Sequence, residues 1–461
     1  MPGPEQIDAW IGDGSIDTVV IAFPDMHGRP VGKRVTAPFF ASHAAEHGIE
    51  ACEYLLAVDV DMNPLPGYKF ANWDSGYGDV VCVPDFTTAR RIPWLEGTAM
   101  VIADLRDESG APVEVSPRQI LRRQLERAAE RGFRVCSATE LEFFLFRDSY
   151  EEAASKSWRG LTPHSSTIED YQLLQTSREE YILRRVRNEM QGAHIPVEFS
   201  KGEAGRGQHE VNVRYDESLV TADRHLVFKN GIKEIAAQEG RAATFMAKWT
   251  MDDVGSSCHV HTSLWDAASG EPLMADASGA SGASGASGAS GLSVVGRRFL
   301  AGQLAAAREL AWCAAPTVNS YRRYVPGSWA PTAVVWGEDN RTCGFRVVGR
   351  AAERRIESRI PGADVNPYLV LAASIAAGLY GVDHELELGE PYPRNAYEAD
   401  DVPRIPSTLV EAIDELRSSA VALEAFGPEV HHHLLNTAVQ EWEASNRHVS
   451  DWELARNFER I

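Results

Sequence analysis

The 461-residue chain contains no Cys-x-x-Cys pair, and its six cysteines (Cys52, Cys82, Cys136, Cys258, Cys313, Cys343) are scattered. Neither a thiolate zinc site nor a disulfide framework is therefore expected. Long apolar runs are also missing: the longest, Tyr368–Val382, falls short of the roughly 20 residues that a bilayer span requires. No charged-then-apolar leader opens the sequence, so the expectation is a cytoplasmic protein without membrane contact. Positive charge is in deficit, with 45 Lys and Arg against 66 Asp and Glu and a formal net charge of −21. That balance argues against nucleic-acid binding and mildly favours cationic partners such as metals or amines. A Gly-x-x-x-x-Gly-Lys-Ser/Thr loop is lacking too, which excludes a P-loop nucleotide site. The segment 202–207 is glycine-rich but leads into an extended stretch rather than a helix, so it makes a weak dinucleotide fingerprint.

What is present is a set of strands with ionisable faces. In Thr139–Phe146, side chains alternate, so Glu140 and Glu142 share one face while Leu141 and Phe143 take the other. Their carboxylates sit roughly 6.7 Å apart along the strand and repel unless cations lie beside them. Three downstream segments repeat the arrangement. Glu210 and Asn212 share a face in Gln208–Arg214, as do His259, His261 and Ser263 in Ser256–Leu264, and Arg355, Glu357 and Arg359 in Arg354–Ile360. Four such strands suit a curved antiparallel sheet whose polar faces line one cavity.

The remaining chain frames that sheet. Residues 1–106 read as a small α/β unit with a hairpin around Pro24–Gly28 and strands near Ile16–Phe23, Val80–Val83 and Val101–Leu105. Ser116-Pro117 opens a helix as N-cap and first-turn residue. Further helices are expected at Glu179–Gln191 with Tyr181, Ile182 and Val186 inward, at Leu226–Gly240, Arg297–Ala314 and Leu369–Tyr380, and in a helical C-terminus. Ala277–Gly291 is five Ala-Ser-Gly triplets, which reads as a flexible surface loop without function. The run His431–His433 is expected on a solvated helix face.

Five carboxylates and one imidazole (Glu140, Glu142, Glu203, Glu210, Glu357 and His259) make candidate ligands for hard divalent cations, Mg²⁺ or Mn²⁺. Five arginines (Arg323, Arg341, Arg346, Arg355 and Arg359) form a second constellation. Beside two divalent cations, they suit phosphoryl oxygens or a substrate carboxylate. Metals on phosphate oxygens and cations on the transferring group are what phosphoryl transfer needs.

In order along the chain, Ala138–Phe146, Glu203–Asn212, Gly255–Leu264, Asn319–Gly327, Asn340–Arg346, Arg355–Arg359 and Ala363–Leu369 resemble the glutamine synthetase family, bacterial type I. The likeness runs from about residue 17 to the C-terminus, and includes Ser116-Pro117-Arg118 and Asp451-Trp452-Glu453. It implies an α+β protein: an N-terminal β-grasp domain over 1–106 and a catalytic domain over 107–461 with a large curved antiparallel sheet flanked by helices. It further implies a dodecamer of two hexameric rings with active sites between subunits. Carried over by position, Glu142, Glu203 and Glu210 hold one metal, and Glu140, His259 and Glu357 the other. Gly255, Arg323 and Arg359 hold glutamate, while Glu198, His261, Ser263, Arg341, Arg346 and Arg355 serve ATP. Asp79 matches the aspartate that a neighbouring subunit contributes to the ammonium pocket. Tyr397 lies in a segment resembling the family's adenylylation loop and reads as an ordinary exposed tyrosine.

Two departures from the family pattern carry the functional expectation. After Val325-Pro326-Gly327 the family places an aromatic residue, a glutamate and Ala-Pro, whereas this chain has Ser328-Trp329-Ala330-Pro331. The missing glutamate helps bind ammonium and take its proton; the Trp329 indole nitrogen only donates, but its ring face suits an alkylammonium. Val254 stands where the family usually has an asparagine. The expected activity is ATP-dependent ligation of glutamate's side-chain carboxylate to an organic primary amine, ethanolamine or a polyamine. The alternatives are a true glutamine synthetase using ammonia, a non-catalytic structural relative, and a metal-dependent hydrolase.

Overall fold

A computed structural model describes residues 3–276 and 291–461. Most of the Ala-Ser-Gly repeat, residues 277–290, lies outside the described residues.

Five strands form the first sheet: β1 (Thr18–Pro24), β2 (Pro30–Thr36), β3 (Ile49–Cys52), β4 (Asp79–Arg91) and β5 (Thr98–Arg106). Their order is β2-β1-β5-β4-β3, with β1 and β5 parallel at the centre and the other pairs antiparallel. This is the expected β-grasp arrangement. The Pro24–Gly28 turn makes the β1–β2 hairpin, and Gly28 takes a φ of 72° there, where a side chain is disfavoured. β4 runs well past the predicted Val80–Val83, with a register shift between Asp85 and Arg90 that lets the long strand follow the twisted sheet.

The second sheet carries the ionisable faces. Its strands are β6 (Phe133–Phe146), β7 (Val197–Gly202), β8 (Gln208–Val213), β9 (Asp216–Glu217), β10 (Ala242–Thr244), β11 (Cys258–Asp266), β12 (Trp336–Glu338), β13 (Phe345–Val348) and β14 (Arg355–Ser358). The path is β12-β13-β14-β11-β6-β8-β7, and β9 and β10 pair with the two ends of β6. One feature differs from the expected antiparallel sheet: β12 and β13 run parallel at its edge.

Helices Pro117–Glu130, Glu180–Gly192, Ser218–Gln238, Val294–Ala306 and Pro367–Asp383 flank the sheets. One continuous apolar cluster from Ile7 to Ala438 joins both sheets to them. Several local expectations need correction. Ser116 precedes its helix without a side-chain cap bond. Tyr181 is exposed, because the buried stripe of its helix is Ile182, Leu183, Val186 and Met190. His431 and His433 are buried: their Nε2 atoms lie 2.8 and 2.9 Å from the carbonyls of Leu416 and Leu56. A helix two residues on rotates by about 200°, yet both imidazoles find backbone partners because segments pack on two sides of this helix. No helix among the described residues is long and apolar enough to cross a membrane.

Candidate active site

Strand register assembles the site. Glu142 faces Glu210 across β6–β8, and Glu140 faces both Asn212 and His259 on either side of β6. His261 then faces Glu357, and Glu357 faces Arg346. Residues distant in sequence thus become cross-strand neighbours about 5 Å apart. β7 adds Lys201 opposite Glu210.

Glu142, Glu203 and Glu210 bring one carboxylate oxygen each within 4.8 Å of the others, and Glu140, His261 and Glu357 do the same with two carboxylate oxygens and an imidazole nitrogen. His259 belongs to the second group by position, its Nδ1 lying 3.1 Å from Glu140 and 3.6 Å from Glu357. His261 was expected on the nucleotide side only; its Nε2 lies 2.9 Å from a Glu140 oxygen but off the hydrogen-bond direction. Two donors aimed at one point without bonding each other suit a cation between them. The donor set is oxygen and imidazole without thiolate, which fits hard or borderline divalent ions.

Burial sets the electrostatics. Glu210 is pushed well above the ordinary carboxylate range by desolvation and by the Glu140 charge. Glu142 is also raised, by burial and by Glu203, although Ser257 donates from both its amide and its hydroxyl. Glu357 goes the other way: burial would raise it, but His259, His261 and Arg359 hold it at about 2. Glu140 is likewise lowered: burial would raise it, but the His259 contact at 3.1 Å and the neighbouring His261 ring outweigh it. Burial and then Arg359 push the His259 imidazole down to about 4, so it is neutral and free to act as a ligand near pH 7.

These groups line a cleft of about 640 Å³ together with Gly255, Arg323, Arg341, Arg346, Arg359 and Trp329. Arg359 donates to Glu357 at 2.5 Å and Arg346 to its other oxygen at 2.7 Å. Arg323 is buried and spends two donors on the carbonyls of Ile360 and Arg359. Gly255 allows the approach: a Cβ there would stand 2.7 Å from Arg323 Cγ and 2.6 Å from the Ala247 carbonyl. Trp329 is 59% exposed at a φ of 65°, and Val254 lines the same cleft.

A second cavity of about 500 Å³ adjoins the first, sharing Glu140, Phe199 and Asn212 with it. Glu198, His261, Ser263 and Arg355 line it, all residues expected on the nucleotide side. Tyr215 and Trp265, whose rings stack at 6.5 Å, add an aromatic wall suited to a flat base. Asp79 lies apart from both cavities, exposed at the start of β4.

Sequence reasoning missed Lys201, placed Asn212 on the polar face without giving it a role, and misread Tyr397. Lys201 contacts Glu203 and lies 4.8 Å from the Tyr171 ring; its two-residue spacing from Glu203 was the available signal. Asn212 is buried, donates to Glu210 at 3.0 Å and leaves its Oδ1 unbonded. Tyr397 is half-buried, not exposed: its hydroxyl is sealed from solvent, in a region that Arg359, Arg323 and the Trp329 backbone also reach.

Residues 114–457 match the family described as glutamine synthetase, catalytic domain. The chain is 53% identical over 459 residues to the gamma-glutamylethanolamide synthetase of Streptomyces coelicolor, covering 100% of this chain and 96% of that one. A glutamate–isopropylamine ligase of a Pseudomonas species is 40% identical over 457 residues, covering 98% and 97% of the two chains. A glutamine synthetase of Methanococcus maripaludis is 32% identical over 466 aligned residues, covering 98% of each chain. Among solved structures, one titled a GmaS/ADP complex superposes with a TM-score of 0.84 at 26% identity, over 98% of this chain and 99% of that one. The catalytic-domain match and these end-to-end likenesses show that this chain belongs to the glutamine synthetase family.

Proposed function

We propose that this protein is an ATP-dependent ligase that joins the side-chain carboxylate of glutamate to a small organic primary amine, ethanolamine first among them. The observation that carries the acceptor is Trp329, an aromatic ring on the wall of the cleft that holds the carboxylates and arginines. The likeness to ligases named for ethanolamide and isopropylamine products supports the same reading.

Glu142, Glu203 and Glu210 would hold one divalent cation, Mg²⁺ or Mn²⁺, and Glu140, His259 and Glu357 another, with His261 beside them. Such cations would neutralise the charge that develops on the transferring phosphoryl group. Arg341, Arg346 and Arg355 hold the phosphates of ATP, with the nucleotide reaching Glu198, His261 and Ser263. Gly255, Arg323 and Arg359 orient glutamate. Its γ-carboxylate attacks the terminal phosphoryl group, forming an acyl phosphate and releasing ADP. The alkylammonium gives one proton to water, the neutral amine attacks the acyl carbon, and its second proton departs with the leaving phosphate as HPO4²⁻. Trp329 binds the incoming alkylammonium by its ring face, worth about 0.5–2 kcal/mol.

Asp79 would act from a neighbouring subunit, in a dodecamer of two hexameric rings; its exposure away from its own cleft supports that role. The units 1–106 and 107–461 are supported as domains because each sheet lies wholly within one of them.

The test is steady-state phosphate release with ATP, Mg²⁺, glutamate and a panel of amines. Ethanolamine or another alkylamine is expected to exceed ammonium in kcat/KM by at least about tenfold. Fast turnover with ammonium and none with amines would make the chain a glutamine synthetase instead.

A further inference from the structure

Behind the cleft, on the opposite face of β8, lies a second group of ionisable side chains. β8 alternates, so Glu210 points into the cleft and His209 points away from it, against Phe143 at 6.1 Å between ring centres. His209 meets Glu169 and Glu179 there, and all three side chains are fully buried. One donor atom from each lies within 4.8 Å of the other two. Glu179 Oε1 is 2.6 Å from His164 Nδ1, but its Oε2, both oxygens of Glu169 and both nitrogens of His209 have no hydrogen-bond partner.

Two carboxylates and an imidazole hidden from water and left unbonded are costly. A proton shared between the carboxylates would relieve one oxygen pair, and burial does push Glu169 upward. It leaves both nitrogens of His209 unsatisfied. The nearest His209–Glu169 approach is 3.8 Å, between Nε2 and Oε2, too long for a hydrogen bond. Two donors each about 2.1 Å from a tetrahedral ion sit roughly 3.4 Å apart, which a small side-chain adjustment provides.

We propose that Glu169 through both of its oxygens, Glu179 and His209, with His164 orienting Glu179, form a closed four-donor structural site for one divalent transition-metal ion of the zinc class. Mixed nitrogen and oxygen donors favour such an ion over Mg²⁺ or Ca²⁺. Lack of solvent access marks the site as structural. Its place in the fold states its use. The backbone of Glu169 lies against β7, where a Cβ at Gly202 would stand 2.5 Å from the Glu169 carbonyl, and Ile168 bridges Arg206. The next residues, Asp170 and Tyr171, line the catalytic cleft. A bound ion therefore clips the segment that forms one cleft wall to the strand that carries Glu210.

Zinc retention tests this independently of which amine is used. The full chain, incubated with Zn²⁺ in excess Mg²⁺ and passed over a chelating resin, is analysed for metal by mass spectrometry. About one zinc per chain is expected in the wild type and in Glu357→Gln, and essentially none in Glu169→Gln or Glu179→Gln. Thermal unfolding under the same conditions should shift upward with Zn²⁺ for the wild type and not for Glu169→Gln. A wild type that retains no zinc and shows no shift overturns the proposal. Equal retention by Glu169→Gln overturns it too.

Discussion

Glu142 and Glu210 are both raised by burial among other carboxylates, and that has a measurable consequence at the scale of single residues. Binding Mg²⁺ requires their ionised forms, so metal uptake near pH 7 should release protons. Calorimetric titration in two buffers of different ionisation enthalpy would detect the release, and an enthalpy independent of buffer would contradict it. The stability sign follows. A carboxyl raised above its unfolded value of 4.5 contributes most below that pH, and the contribution is lost as pH rises through the raised values. Above about pH 7, where the imidazoles of His209, His259 and His433 are neutral in both states, the metal-free protein should therefore lose stability as pH rises, and the stabilisation by Mg²⁺ should grow over the same interval. Trp329 offers a second residue-level test. Trp329→Ala should raise the KM for the amine about 2- to 30-fold, the equivalent of 0.5–2 kcal/mol, while the KM values for ATP and glutamate stay put. Trp329→Glu should move selectivity toward ammonium; unchanged selectivity would remove the tryptophan from the account.

At the scale of elements, the first sheet is tied to two flanking helices by Arg118 of helix Pro117–Glu130, whose side chain is 1% exposed and meets Asp85 of β4, Asp104 of β5 and Asp223 of helix Ser218–Gln238. Replacing it by Met leaves Asp85 and Asp104 to Arg122 but the buried Asp223 with only the Tyr368 hydroxyl, and breaking a buried pair in this way costs about 3–5 kcal/mol. Urea unfolding of Arg118→Met should show that loss; a change below about 1 kcal/mol would mean that the apolar cluster alone holds the first sheet to these helices. Elements are also where the sequence was most readable. Period-2 alternation marked β6, β8, β11 and β14 and named the residues of their polar faces, because a strand's geometry is local. Strand β7 was harder to see, since its exposure pattern is irregular, and Lys201 went with it. Tyr397, His431 and His433 were misread for a shared reason: what each side chain meets is brought from distant segments, and no local pattern encodes it. The Glu169, Glu179 and His209 group is hidden in the same way, spread over 41 positions of chain and joined only by packing.

The whole molecule is an assembly question. Asp79 lies in an exposed position while the cleft it would serve lies elsewhere, and Trp73 nearby is 80% exposed, as expected of a surface that another subunit covers. Asp79→Asn should lower kcat with little change in the KM for ATP. Mixed with Glu357→Gln subunits and reassembled, it should recover part of the activity, because some sites then carry one intact half from each chain. No recovery in mixed assemblies of demonstrated composition would place each site within a single chain. The central claim concerns what such a site makes. Given ATP, Mg²⁺, glutamate and equal concentrations of ethanolamine and ammonium, the protein should yield mainly γ-glutamylethanolamide by mass spectrometry, with one ADP formed per amide; glutamine as the main product would contradict the account.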